Sequence, residues 1–151
     1  MDGEGGFHFN IQELETVVRL NLPIKYFILN NDGYASIRSS QRNFFGSPQI
    51  GCDTNTGITV PDFCKVGAAY GIATVRIDSQ TNLREDVRRV IEMPGPVVCD
   101  VVVIPDESRA PRLSSMQRPD GSIVSKPLED LWPFLPREEF YANMIVPPLE
   151  D

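Results

Sequence analysis

The chain has 151 residues, 41% of them hydrophobic and 23% charged, with a formal net charge of −7. That size and composition suit one soluble globular domain with a real core, and no apolar run approaches the roughly 18–20 residues of a membrane span. The acidic balance leaves Arg38, Arg42, Arg109, Arg112 and Arg118 interleaved with acids rather than gathered on one face, which argues against nucleic acid as a partner.

The acidic N-terminus is unlike a signal or transit peptide, so the cytoplasm is the expected compartment. Cys52, Cys64 and Cys99 are widely spaced and form no C-x-x-C pair. They read as reduced, non-catalytic thiols, with Cys99 as a small core residue in a Val-rich run.

In chain order, the Gly3-Glu4-Gly5-Gly6 turn comes first, and only Met1 and Asp2 precede it. Such a turn is normally fed by a strand, so that strand is expected upstream in a parent protein. Asn10-Ile-Gln-Glu13 has the form of a capping box. Leu14, Val17, Val18 and Leu20 then give one apolar helix face, stopping near Asn21-Leu22-Pro23. Ile24 to Leu29 resembles a buried parallel strand, and Asn30-Asn31-Asp32-Gly33 is a strong turn signal.

A second helix is predicted over Ser36–Phe44, and residues 46–59 read as a loop. Pro61 suits the first turn of a helix ending at Gly71, and Ile72–Ile77 reads as a strand. Asn82-Leu-Arg-Glu85 repeats the capping-box form and opens a helix to about Met93, stopped by Pro94-Gly95-Pro96. Val97–Ile104 is the most strand-like segment. Strands alternating with helices predict an α/β fold: a doubly wound parallel sheet with helices on both faces, missing its upstream strand. The predicted domain is 1–104, followed by a Pro-rich, aromatic and acidic tail over 105–151. The tail is predicted to be irregular but packed by Trp132, Phe134, Phe140 and Tyr141, as ordinary surface or as a lid or subunit contact.

Ligands of parallel sheets bind beyond the carboxyl ends of the strands, where Asn30 and Asn31 fall. Glycines at 3, 5 and 6 allow close backbone approach, and a following helix start offers free N–H groups to an anion. A divalent magnesium ion takes hard oxygen ligands, completed by phosphate and water. Glu4 carboxylate, the Asn31 side-chain oxygen and the Gly33 carbonyl can supply the protein's share. A dinucleotide fingerprint is disfavoured, because His8 stands where G-x-G-x-x-G needs its third glycine. His8, the only histidine, reads as structural, beside Phe7 and Phe9.

The spacing of Gly3-Glu4-Gly5 from Asn30-Asn31 resembles the diphosphate-binding signature of thiamine-diphosphate-dependent enzymes. Phe7-His8-Phe9-Asn10-Ile11-Gln12-Glu13-Leu14 and Asn21-Leu22-Pro23-Ile24-Lys25 are similar to the acetolactate synthase and pyruvate decarboxylase branch. The resemblance covers roughly residues 3–104 and is strongest over 3–46. It implies a carboxyl-terminal domain in which Glu4, Asn31 and Gly33 bind Mg2+. Gly3, Gly5 and Gly6 would bind thiamine diphosphate, Gly5 and Gly6 through backbone N–H groups. Ala35, Ser36 and Ile37 would line the cofactor's approach to the substrate pocket.

The family usually has Asp at position 4, and the extra methylene of Glu4 lengthens the arm by roughly 1.5 Å. Gly6 replaces the usual Ser or Ala. The activating glutamate of the family comes from another domain, so the resemblance implies no catalytic residue here and no activity of this chain alone. It implies a parent decarboxylase or carboligase acting on a small 2-keto acid, with missing N-terminal domains and a homo-oligomeric state. The alternative is a non-catalytic fragment that serves subunit association without cofactor. In either case an apolar sheet edge invites self-association. Sedimentation should show species larger than a monomer, and a strictly monomeric, well-folded chain contradicts the strand assignment.

Overall fold

A computed structural model describes residues 1–46, 48–105, 107 and 110–147. Arg109 and the acidic end of the tail, 148–151, lie outside the described residues. The chain divides into two compact units, Met1–Glu107 and Ser108–Asp151.

The first unit is a parallel sheet with strand order β1-β2-β4-β3. Its strands are β1 (Asp2–Gly3), β2 (Lys25–Asn30), β3 (Ala73–Ile77) and β4 (Val97–Val102). The strand expected ahead of the Gly-rich turn is present as the two residues of β1, which pair with Ile28 and Leu29 of β2. On that side, Lys25–Phe27 of β2 have no strand partner among the described residues.

Side-chain alternation along each strand sorts the apolar residues onto two faces. On one, Ile28 and Val98 pack with Phe7 of α1 (Glu4–His8), Leu14 of α2 (Leu14–Arg19) and Phe63 of α4 (Phe63–Ala69). Phe7 meets Tyr26 and Phe63 edge-on, both at a centroid distance of 5.6 Å. On the other, Ile77, Val97 and Cys99 pack with Val90 of α5 (Leu83–Glu92). Helices thus cover both faces. Cys99 is a core residue, its thiol pushed up to about 11 by burial, and all three cysteines are free.

Three local expectations need correction. Leu14 and Val17 face the core, but Val18 is exposed, and so is Leu20, which lies past the end of α2 at Arg19. Neither predicted capping box forms. Asn10 (φ −127°, ψ 23°) precedes a single 3-10 turn over Ile11–Glu13, and Asn82 (φ −122°, ψ 29°) precedes α5, both without a side-chain cap bond. An N-cap side chain reaches N2 or N3 from an extended backbone, which neither asparagine has; Asn10 Nδ2 instead donates back to the Gly6 carbonyl at 3.4 Å. The working caps are Asp53 (φ −156°, ψ −176°), in a full capping box with Thr56, and Asp62, which accepts from Lys65 N. His8 and Phe9 are exposed rather than packed.

The second unit is largely irregular, with short regular pieces. It carries an antiparallel hairpin of β5 (Ser115–Gln117) and β6 (Ile123–Ser125), and a helix, α6 (Arg137–Asn143). Asp130 is buried and takes both Arg137 Nη1 and Nη2, at 2.8 and 2.9 Å. Those charge-assisted bonds hold its carboxyl below the usual carboxylate range. Phe140 is buried and lies under the same guanidinium, 4.8 Å from ring centroid to Cζ. Trp132 is half-buried, with the Arg112 guanidinium 4.8 Å over its ring. Phe134 and Tyr141 stay exposed.

α4 approaches the sheet closely at Gly67. A Cβ there would lie 2.8 Å from Thr74 Cγ2 and 3.0 Å from Val98 Cβ. Alanine is favoured over glycine in a helix by about 1 kcal/mol, but overpacking costs about 1–3 kcal/mol. Gly67→Ala should therefore lower stability in urea unfolding by about 1 kcal/mol; an unchanged or raised midpoint contradicts this packing.

Candidate functional site

The register of β1 on β2 builds the site. With Gly3 paired to Leu29, the next residue on each chain, Glu4 and Asn30, emerges at the same carboxyl-terminal sheet edge. Asn31 N donates a short hydrogen bond to Glu4 Oε1, joining positions far apart in sequence. Glu4 is 1% exposed. Burial raises its carboxyl pKa from the ordinary 4.5, against the pull of backbone N–H groups of Glu4, Asn31, Gly33 and Asp32.

The loop after β2 turns sharply. Asp32 takes φ 60° and Gly33 φ 143°, both in the left-handed half of the map. Asp32 N donates to Asn30 Oδ1 at 3.2 Å, a local turn bond. Gly33 pairs with Asp53 as an isolated antiparallel bridge, and Tyr34 N donates to the Cys52 carbonyl at 2.7 Å. A Cβ on Gly33 would lie 2.1 Å from that carbonyl oxygen. Glycine is therefore required twice, for its φ and for its missing Cβ.

α3 (Ala35–Phe44) follows at once. Its one fully buried residue is Arg38, 4% exposed. Arg38 Nη2 donates to the Asn31 carbonyl at 3.4 Å and the Pro105 carbonyl at 2.7 Å, and Nη1 to Asp53 Oδ2 at 3.3 Å. Asp53 is held below the usual carboxylate range first by the Thr56 hydroxyl, then by Arg38. The guanidinium's fork thus ties together three segments that lie far apart in sequence. In the sequence Arg38 is one of several arginines interleaved with acids. Its spacing eight residues after Asn30 on a helix was the available signal, but burial of that position was not visible.

The structure brings together Glu4, Asn31 and Gly33. Asn31 Oδ1 is buried and has no hydrogen-bond partner. A buried polar atom without a partner costs free energy of order 1–3 kcal/mol, so this oxygen is a candidate ligand for a hard cation. Among the described residues no group of three or more His, Cys, Asp and Glu side chains could hold a metal, so amide, backbone and phosphate oxygens would have to complete such a site. A carboxylate, an amide oxygen and a backbone carbonyl are all hard oxygen donors, and in that chemistry the residues present fit Mg2+. Gly3, Gly5 and Gly6 lie at the junction of β1 and α1, with Gly5 and Gly6 inside the first turn of α1. Gly5 lies under the Tyr34 ring, which a Cβ would meet at 3.2 Å, whereas only the flexible Asp2 carboxylate stands over Gly6. Ala35, Ser36 and Ile37 form the first turn of α3; Ser36 and Ile37 are exposed and Ala35 is half-buried.

The raised Glu4 pKa fixes the sign of a pH effect. Folding favours the protonated acid, so its contribution is complete below the unfolded value and is lost as pH rises through the folded one. Without metal, raising the pH from about 4 should destabilise the native chain relative to Glu4→Gln, by about 1.4 kcal/mol for each unit the pKa is raised. Parallel urea midpoints for both proteins across the pH range contradict this environment for Glu4.

No helix among the described residues is long and apolar enough to cross a membrane. The family described as "Thiamine pyrophosphate enzyme, C-terminal TPP binding domain" matches residues 1–101. The acetolactate synthase large subunit of Cyanidium caldarium is 32% identical over 112 residues, 74% of this chain and 19% of that protein. The large subunit of Pyropia yezoensis is 32% identical over 114 residues, 76% of this chain and 19% of that protein. Acetolactate synthase 1, chloroplastic, of Zea mays is 29% identical over 119 residues, again 76% and 19%. The chain spans about a fifth of the length of these curated relatives. With its sheet, its paired glycine and Asn-Asn turns and this match over two-thirds of its length, the chain belongs to the thiamine pyrophosphate enzymes as a C-terminal cofactor-binding domain of the acetolactate synthase branch.

Proposed function

We propose that this domain holds the diphosphate of thiamine diphosphate through Mg2+ on behalf of a larger 2-keto-acid decarboxylase or carboligase, and that it is inactive alone. The observation that carries the proposal is the buried, unpartnered Asn31 Oδ1 beside the Glu4 carboxylate. Glu4, Asn31 and the Gly33 carbonyl would hold the metal. Gly3, Gly5 and Gly6 would bind the diphosphate at the start of α1, Gly5 and Gly6 through backbone N–H groups. Ala35, Ser36 and Ile37 would border the approach of substrate.

When bound, thiamine diphosphate supplies the nucleophilic carbon and the electron sink that 2-keto-acid chemistry needs. This chain's own residues bind and orient. Arg38 holds the Asn31 carbonyl, the Gly33–Asp53 bridge fixes the turn, and Phe7 packs with Ile28 of β2 in the core of the sheet. No residue here is assigned proton transfer. The activating glutamate, the missing N-terminal domains and the substrate pocket are assigned to the rest of the parent protein, in a homo-oligomer of the cytoplasm.

One observation favours a second reading, a subunit-association fragment without cofactor. Glu4 already spends an oxygen on Asn31 N, so the longer side chain can close the loop by itself. Calorimetry of the chain with thiamine diphosphate and MgCl2 separates the two. Saturable heat that weakens at least tenfold in Asn31→Ala, about 1.4 kcal/mol, is expected; no heat with the intact chain overturns cofactor binding.

A further inference from the structure

The sheet interior beneath the Asn-Asn turn holds a charge that the fold alone does not call for. Asp100 lies in the middle of the apolar run of β4 and is 0% exposed. Its strand register places it across from Ile28 on β2 and Arg76 on β3. Taking a carboxylate out of water costs several kcal/mol, and a well-packed apolar residue is often as good or better for stability. The Arg76 side chain is 51% exposed and keeps much of its hydration, so it gives limited compensation.

The bonds Asp100 makes point to another use. Oδ2 accepts from Arg76 Nη1 at 2.8 Å, and Oδ1 accepts from Asn30 Nδ2 at 2.9 Å. An amide has donors on one side and an acceptor on the other. Holding Asn30 Nδ2 toward the carboxylate leaves Asn30 Oδ1 facing the loop, where it accepts from Asp32 N at 3.2 Å. Asp32 is the residue with φ 60° between Asn31 and Gly33. An ionised carboxylate can only accept, so it fixes which way the Asn30 amide points.

We propose that Asp100 is a positioning residue that acts through Asn30: its buried carboxylate orients the Asn30 amide, which sets the left-handed turn at Asp32 and so aims Asn31 Oδ1 and the Gly33 carbonyl. This rests on the Mg2+ and diphosphate role proposed for that loop. Arg76 anchors the carboxylate from the solvent side through Oδ2, the oxygen that Asn30 does not use.

The test uses the full chain and two readouts: the backbone amide NMR signal of Asp32 without cofactor, and the calorimetric affinity for Mg2+ with thiamine diphosphate. Asp100→Asn keeps the shape but can present its own N–H2, allowing the Asn30 amide to flip. It should shift the Asp32 signal and weaken binding about tenfold. Asn30→Ala, which cuts the same link without touching the strand interior, should do likewise, and the double variant should be no worse than either single one. Arg76→Gln, which keeps a donor toward Oδ2, should change the melting temperature at most. Asp100→Asn that leaves the Asp32 signal in place overturns the proposal, as do additive losses in the double variant. If Asp100→Asn fails to fold, Asn30→Ala decides by the same two readouts. If the unaltered chain binds no cofactor, the metal role falls, while the Asp32 signal still decides the relay.

Discussion

The parallel pairing of Gly3 with Leu29 is the constraint on which the site depends. A parallel ladder fixes where two strands end relative to each other, and a slip of one residue would turn every side chain to the other face. In this register Glu4 and Asn31 meet at the sheet's carboxyl edge, Phe7 falls over the Ile28 core, and α1 starts directly after Gly3. Two strand residues suffice because β2 is already held along its whole length by β4.

Around that junction the protein buries charge in order to hold backbone. Arg38 donates to carbonyls of Asn31 and Pro105, Asp53 caps its own turn and receives Arg38, and Asp100 joins Asn30 to Arg76. Apolar packing is non-directional and cannot specify the orientation of a loop carbonyl or an amide, whereas charge-assisted hydrogen bonds can. The apolar clusters therefore set the sheet and helices, and these ionic links set the turn that carries Asn31 and Gly33. Buried Glu4 and the unpartnered Asn31 oxygen both cost stability, as groups at a functional site commonly do.

Much of the fold was legible because the strands of a covered parallel sheet are short apolar runs between strong breakers. Val97–Val102 and Ala73–Ile77 came within one or two residues of their predicted spans. The asparagine caps failed for a different reason. A capping box is read from residue types, but it works only where the backbone before the helix is extended, and neighbouring turns decided that at Asn10 and Asn82. The hairpin and the Asp130–Arg137 clasp after residue 107 were equally hidden, since their partners lie several residues apart without periodicity.

The sequence by itself determined the α/β class, the pair of turns at residues 3–6 and 30–33, and the family to which they belong. Those features rest on local chemistry: glycine's freedom, asparagine's turn-forming amide and the two-residue rhythm of strands. Only the tertiary structure decided that Glu4 closes on Asn31 N, that Arg38 lies inside rather than on the surface, and that Asp100 stands beneath the loop. Each of these depends on contacts between segments far apart in the chain, where burial and register choose partners that no local pattern encodes.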